Sequence, residues 1–353
     1  MKIWIDACEP KSVIMLKPLF EILKKNHEIY ITSRDFDSTL YLLKKYKLPH
    51  NKAGKYGGSN LSGKLKAYIE RLDKLFKITQ KEKPDFLFCL ASPEALRISY
   101  GLGIPNIIFN DEPRSRGVVS LTLSLADKVI VPKCIPLEWY LPYIKNENLI
   151  RFNGIDEVGW LYDFKPDESI LKMFNLEKED YIICRTEPTK AQYLAEKMKP
   201  HETQLSEIIP ELAEHSEIKF IVLTRYDEQY DYLKIQFKKF IERDRIRVIK
   251  ALDQLAHLMF HARAVISGGG TMVRESALMG VPSIEYFPLE TYPQELFLME
   301  NGFPLKHIKD TKLIIAEAFN YIEKSKKVNT SEKIRELENP IEIAIKEFNR
   351  KTR

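Results

Sequence analysis

Three consecutive glycines, Gly268 to Gly270, lie between an apolar run ending at Ser267 and a helical pattern opening at Thr271. A strand that feeds a glycine turn at a helix start leaves backbone N–H groups free and lets a ligand approach the backbone closely. The aligned peptide dipoles favour negative charge there, which suits a phosphate or diphosphate. Thr271 and Met272 open the helix, and Glu275 follows one turn later, spaced to accept hydrogen bonds from sugar hydroxyls. Cations stand after the neighbouring apolar runs: Arg185 and Lys190 in Cys184-Arg-Thr-Glu-Pro-Thr-Lys190, and Arg225 after Thr224. They can neutralise a diphosphate, with Glu187 holding Arg185 or Lys190 in place. A tight strand–helix turn without a ligand is the plainer reading of the glycines.

The first half of the chain carries acids instead. Phe109-Asn-Asp-Glu-Pro-Arg-Ser-Arg116 follows a buried run and sets Asp111 and Glu112 side by side. Like charges raise one another's pKa, which suits general acid/base chemistry; a structural Asp–Arg pair is the competing reading. Asp6 ends the first apolar run, and Glu94 follows another. The loop Gly54-Lys-Tyr-Gly-Gly58 is placed to close over a sugar or simply to connect two elements.

Alternating apolar runs and amphipathic helices must position these groups. The strands expected in the first half are 2–6, 28–33, 85–90, 106–109, 128–131 and 149–152, with 51–62 a loop. Those in the second half are 181–184, 220–223, 247–249, 264–266 and 283–286. This rhythm predicts parallel sheets covered on both faces. The organisation expected is a domain over 1–153, a linker over 154–167, a domain over 168–330 and a C-terminal helix over 331–353. The fold class is α/β, with two Rossmann-like doubly wound domains facing a central cleft. Ligands bind at the carboxyl ends of strands in such sheets.

Composition limits the function classes. The chain has 353 residues, 44% hydrophobic and 30% charged, long enough for two cores. The opening residues lack a signal peptide's apolar core, and no run has the length of a membrane span, so a cytoplasmic protein is expected. Four dispersed cysteines offer no metal-binding spacing, so no metal is assigned. The net charge of +5 is concentrated in 61–83 and in the C-terminal stretch, as solvated faces or as attraction to an anionic membrane surface. No aromatic-studded basic strand points to nucleic acid.

The sequence resembles the GT-B superfamily, and within it a largely archaeal family of unassigned activity. The residues that carry this are Ile3-Trp-Ile-Asp6, Lys17-Pro-Leu19, Gly54–Gly58, Ser92-Pro-Glu94, Phe109–Pro113, Gly154-Ile-Asp-Glu157, Arg185–Lys190 and Gly268–Glu275. The superfamily implies sugar-nucleotide chemistry. Gly269 and Glu275 fall at the spacing of the donor-binding turn and helix glutamate of the glycosyltransferases that build lipid-linked peptidoglycan precursors. Arg185 and Lys190 resemble the arginine–lysine pair that binds donor diphosphate in other GT-B transferases.

Phe109–Ser115 also resembles the His-Val-Glu-Ala-Gly-Leu-Arg stretch of UDP-N-acetylglucosamine 2-epimerases, placing Glu112 on a catalytic glutamate. Two departures count against that activity. Their second glutamate would fall at Ser115 or Arg116, and their His-Arg-Arg-Glu-Asn motif is replaced by Cys184–Glu187.

The expected function is transfer of a sugar from a nucleotide-diphosphate sugar, UDP-linked, to an acceptor that is lipid-linked or free. No cofactor beyond that substrate is assigned. Arg185, Glu187, Lys190, Arg225, Gly268, Gly269, Gly270, Thr271, Met272 and Glu275 form the donor side. Glu112 is the base, with Asp6 and Asp111 behind it. A 2-epimerase-like enzyme and a non-catalytic sugar-nucleotide-binding protein remain the alternatives.

Overall fold

A computed structural model of the chain describes residues 1–352 apart from 59, 191–193, 195–197, 251, 253 and 325. Two compact units emerge: Met1–Tyr162 together with Leu337–Arg353, and Asp163–Glu336. In the first, β1 (Lys2–Ala7), β2 (Glu28–Asp35), β3 (His50–Lys55), β4 (Phe86–Leu90), β5 (Asn106–Phe109), β6 (Lys128–Pro132) and β7 (Leu149–Phe152) form one sheet. Among the described residues its order is β3-β2-β1-β4-β5-β6-β7, and every pairing is parallel. In the second, β8 (Tyr181–Arg185), β9 (Lys219–Leu223), β10 (Ile246–Ile249), β11 (Ala264–Ser267), β12 (Ser283–Glu285) and β13 (Leu305–His307) make a parallel sheet ordered β10-β9-β8-β11-β12-β13.

Period-two burial on both faces explains the nearly continuous apolar strands. Ile3, Ile5, Phe86 and Phe88 face one core with Met15, Leu19 and Phe348, while Trp4, Leu87 and Cys89 face another with Leu75 and Ala95. The second unit gathers Ile182, Cys184, Phe220, Val222, Ala264, Ile266 and Ile284.

The structure corrects three boundaries. Residues 50–55, read as the start of a loop, form edge strand β3, where only Ala53 and Gly54 are buried. The stretch expected to be a linker is largely packed: Ile155, Asp156, Glu157 and Val158 are buried, and a short helix, Val158–Leu161, follows. The expected single C-terminal helix is two, Ser331–Arg335 and Pro340–Lys351, and the division between units falls between them. Edge strand β13 had no apolar run long enough to announce it. Among the described residues no helix is long and apolar enough to cross a membrane.

Candidate functional site

In the second unit β11 ends at Ser267, and Gly270 opens the helix Gly270–Leu278. The three glycines are required by close approach, since none of them has a positive φ. A Cβ on Gly268 would stand 2.6 Å from Glu187 Cγ and 2.9 Å from its Cα. One on Gly269 would stand 2.5 Å from Arg225 Nη2, so this guanidinium rests against the turn. Gly270 packs on Glu295 and lies 2.7 Å, by the same construction, from Arg274 Nη1.

Arg225 is held from two sides. Its Nε donates to the Thr186 carbonyl (2.9 Å), and its backbone N–H reaches Thr186 Oγ1 and the Gln229 side-chain oxygen (both 3.2 Å). Arg185 ends β8, with Nη1 4.0 Å from Met272 Sδ, and its carbonyl accepts from the Tyr286 hydroxyl (2.8 Å). Gly268–Gly270, Met272, Arg185 and Arg225 are thus brought together at the carboxyl end of one sheet. Thr271 is exposed beside them, and Glu275 is half-buried one turn further along the helix.

Two donor-side residues stand elsewhere. Glu187 does not hold Arg185 or Lys190: its carboxylate accepts from Thr203 Oγ1 (2.6 Å), the Gln204 N–H (2.9 Å) and the Tyr286 hydroxyl (3.1 Å). Burial raises its pKa, with those hydrogen bonds opposing. It fastens the loop after β8 to the body of the unit. Lys190 pairs with Glu228 (2.7 and 2.9 Å) above the Tyr226 ring, an exposed contact rather than one with the glycine turn.

Sequence reasoning missed a buried group beneath Gly270. Arg274 Nη1 donates to Glu295 Oε1 (2.7 Å), and His307 Nδ1 lies 2.9 Å from Glu285 Oε2. Burial raises the Glu295 carboxyl to about 7, Arg274 opposes this and Glu285 adds to it. The sequence drew attention to Glu275, whereas its neighbour Arg274 carried no signal of the buried partner 21 positions on.

In the first unit the acids divide. Asp6, expected behind the base Glu112, is instead one half of a buried ion pair. It is fully buried, Arg71 Nη2 donates to both of its oxygens (2.7 and 2.9 Å), and the Thr32 hydroxyl donates to Oδ1. Arg71 also donates to Glu94 Oε2 (3.0 Å) and to the Ala53 carbonyl (3.1 Å), tying β1, β3 and two helices together.

Glu112 is held by Arg114 in a two-pronged pair (2.9 and 3.0 Å), its side chain 40% exposed, with the guanidinium over the Trp139 ring. Asp111 instead accepts from Lys11, whose Nζ also donates to Asp156 Oδ2 (3.0 Å). Tyr140 lies alongside, its hydroxyl donating to the Asn110 carbonyl (3.0 Å). Lys11 and Asp156 follow β1 and β7, so three strand ends supply this cluster. Asp156 lies in the Gly154–Glu157 motif visible in the sequence, but nothing there joined it to Lys11, 145 positions away. Among the described residues no group of three or more His, Cys, Asp or Glu side chains could hold a metal ion.

Two α/β units with parallel sheets of seven and six strands give the chain the GT-B fold. The chain belongs to the family described as "Protein of unknown function (DUF354)", which matches residues 1–351. Uncharacterized protein MJ0665 of Methanocaldococcus jannaschii is 28% identical over 329 residues, covering 92% of this chain and 91% of that protein. The fold is similar to that of M. jannaschii UDP-GlcNAc 2-epimerase in complex with UDP-GlcNAc and UDP (TM-score 0.70, 18% identity, 97% of this chain and 96% of that one). It is also similar to Anabaena Alr3699/HepE in complex with UDP and glucose (TM-score 0.59, 17% identity, 98% and 94% covered). At these identities the likeness establishes the fold.

Proposed function

We propose that the chain binds a nucleotide-diphosphate sugar, UDP-linked, through its second unit and transfers the sugar to an acceptor. The observation that carries this reading is the Arg225 guanidinium set against Gly269 at the start of the helix Gly270–Leu278, with Arg185 beside Met272. A helix N-terminus and two guanidinium groups together can neutralise a departing diphosphate without a metal. In this reading Gly268 to Gly270, Thr271 and Met272 line the diphosphate, Glu275 takes the ribose, and Asp111 or Glu112 of the first unit takes the acceptor proton. Lys190, engaged by Glu228, is left out.

The protein is read as cytoplasmic and the acceptor as lipid-linked. Exposed Lys64, Lys66, Lys74, Lys77 and Lys81 on the helix Leu61–Glu82 would draw the chain to an anionic surface. The complexes of the structural neighbours with UDP support the choice of base. The likeness to the M. jannaschii 2-epimerase favours a second reading, 2-epimerisation, in which no free UDP accumulates.

The test is thermal-shift screening with UDP, GDP, CDP, ADP and dTDP and their sugar forms. A ligand at a hundred times its Kd stabilises the folded state by about 2.7 kcal/mol. The expected outcome is a shift with UDP in the wild type that Arg225→Ala and Glu275→Ala both lose. No shift with any nucleotide would overturn the reading. Release of UDP only when an acceptor is present would then separate transfer from epimerisation.

A further inference from the structure

We propose that Lys11, Asp111 and Asp156 form a proton-transfer site in the first unit, in which Asp111 deprotonates a sugar or acceptor hydroxyl and Lys11 passes the proton to Asp156. The inference rests on the reading above only for the identity of that hydroxyl. Its basis is geometric. A single ammonium group bridges two carboxylates contributed by different strand ends, and the three side chains grade from accessible to sealed. Lys11 and Asp111 are 18% and 16% exposed, whereas the Asp156 side chain is 0% exposed.

A second observation points the same way. Asp156 Oδ2 accepts from Lys11, but Oδ1 is buried with no hydrogen-bond partner among the described residues, and so is the side-chain oxygen of Asn110 next to Asp111. A buried acceptor left unsatisfied costs about 1–3 kcal/mol, which a purely structural ion pair would not retain. A proton on Oδ1 removes the charge from the buried group.

The groups facing Asp156 are Lys11 from the helix Pro10–Leu23, Asp111 after β5, Glu157 next in the chain, and Tyr140 from the segment after β6. Burial pushes the Asp156 carboxyl up to about 7; Lys11 opposes this, and Asp111 and Glu157 add to it. The group therefore exchanges its proton near neutrality, as a proton store must.

The step balances as follows. An Asp111 oxygen accepts the hydroxyl proton while the electron pair of the hydroxyl oxygen forms the bond to the anomeric carbon. The bond from that carbon to the diphosphate breaks, with its electrons leaving on the nucleotide. Lys11 then gives an N–H proton to Asp156 and takes the one held by Asp111. Lysine ends as ammonium, Asp111 as carboxylate and Asp156 as the acid.

Two measurements on the full chain test this. The first is infrared titration of the protonated-carboxyl band in the wild type, Asp156→Asn, Lys11→Met and Lys11→Arg. Beside the Glu295 carboxyl, also raised to about 7, the wild type is expected to show a second carboxyl titrating near neutrality, lost in Asp156→Asn, displaced in Lys11→Met and restored by Lys11→Arg. The second is the pH profile of UDP release from UDP-N-acetylglucosamine in the presence of the acceptor that triggers it. Asp156→Asn is expected to slow release about a hundredfold and flatten the profile around neutrality, with the UDP thermal shift intact. A wild type with no such carboxyl, or an Asp156→Asn variant with the wild-type rate and profile, would overturn the proposal. Loss of the UDP shift in the wild type would instead overturn the donor-site reading. In that case the infrared titration alone decides for or against the proton site.

Discussion

Gly268 and Gly269 show how one residue type serves two ends. In the sequence the triple glycine argued for a ligand, because a plain turn does not need three. The structure gives each glycine a neighbour inside the protein, and those neighbours differ in how far they can yield. At Gly268 the obstacle is the Cα and backbone N of Glu187, whose side chain is itself anchored by Thr203, Gln204 and Tyr286. Gly268→Ala should therefore overpack a fixed site and cost about 1–3 kcal/mol, read as a fall in Tm. At Gly269 the obstacle is the end of the Arg225 side chain, which can swing away. Gly269→Ala should leave Tm nearly unchanged while abolishing the nucleotide-dependent shift. The opposite pattern, stability lost at Gly269 with binding retained, would show that the turn's glycines serve packing only.

At the scale of the elements, the interior strands were legible and the edges were not. Strands such as Phe86–Leu90 and Ala264–Ser267 are buried on both faces and read as unbroken apolar runs. In β3 the sequence His-Asn-Lys-Ala-Gly-Lys buries only two residues, so neither alternation nor an apolar run was present to read. Site residues followed the same rule. Arg185 and Arg225 were legible as strand-end cations because each ends or follows a clear strand, while the partners of Asp6 and Asp111 lay too far along the chain to infer.

Asp6 is the instructive case, for its position at a strand end suggested chemistry and its partners reveal architecture. Removing one member of a buried ion pair costs about 3–5 kcal/mol, because the other charge stays buried and uncompensated. Asp6→Asn should destabilise the chain by that order in urea unfolding. Asp6→Asn combined with Arg71→Met should cost less than the sum of the two single variants. Strict additivity would mean that the Asp6–Arg71 contact carries no coupling.

Over the whole molecule the two units share a device that no single motif announced: each buries a carboxyl raised to about 7, Asp156 in the first and Glu295 in the second. In both the leading cause is burial, opposed by one cation, Lys11 or Arg274. The unfolded chain releases these protons near its ordinary carboxyl values of 3.8 and 4.5, whereas the folded chain keeps them until about 7. Between those limits the folded state binds more protons than the unfolded one, so stability falls as pH rises through the window and levels off above it. Glu295→Gln cannot ionise and removes this dependence from the second unit, and Asp156→Asn does so for the first. The Tm of the wild type minus that of either variant should therefore decline steadily from about pH 4 to about pH 7 and stay flat beyond. Because the two sites lie in separate units and draw on different cations, Lys11 and Arg274, the double variant should show the sum of both declines. A difference that does not vary with pH would mean that the carboxyl concerned ionises in its ordinary range, with its burial compensated by the cation beside it.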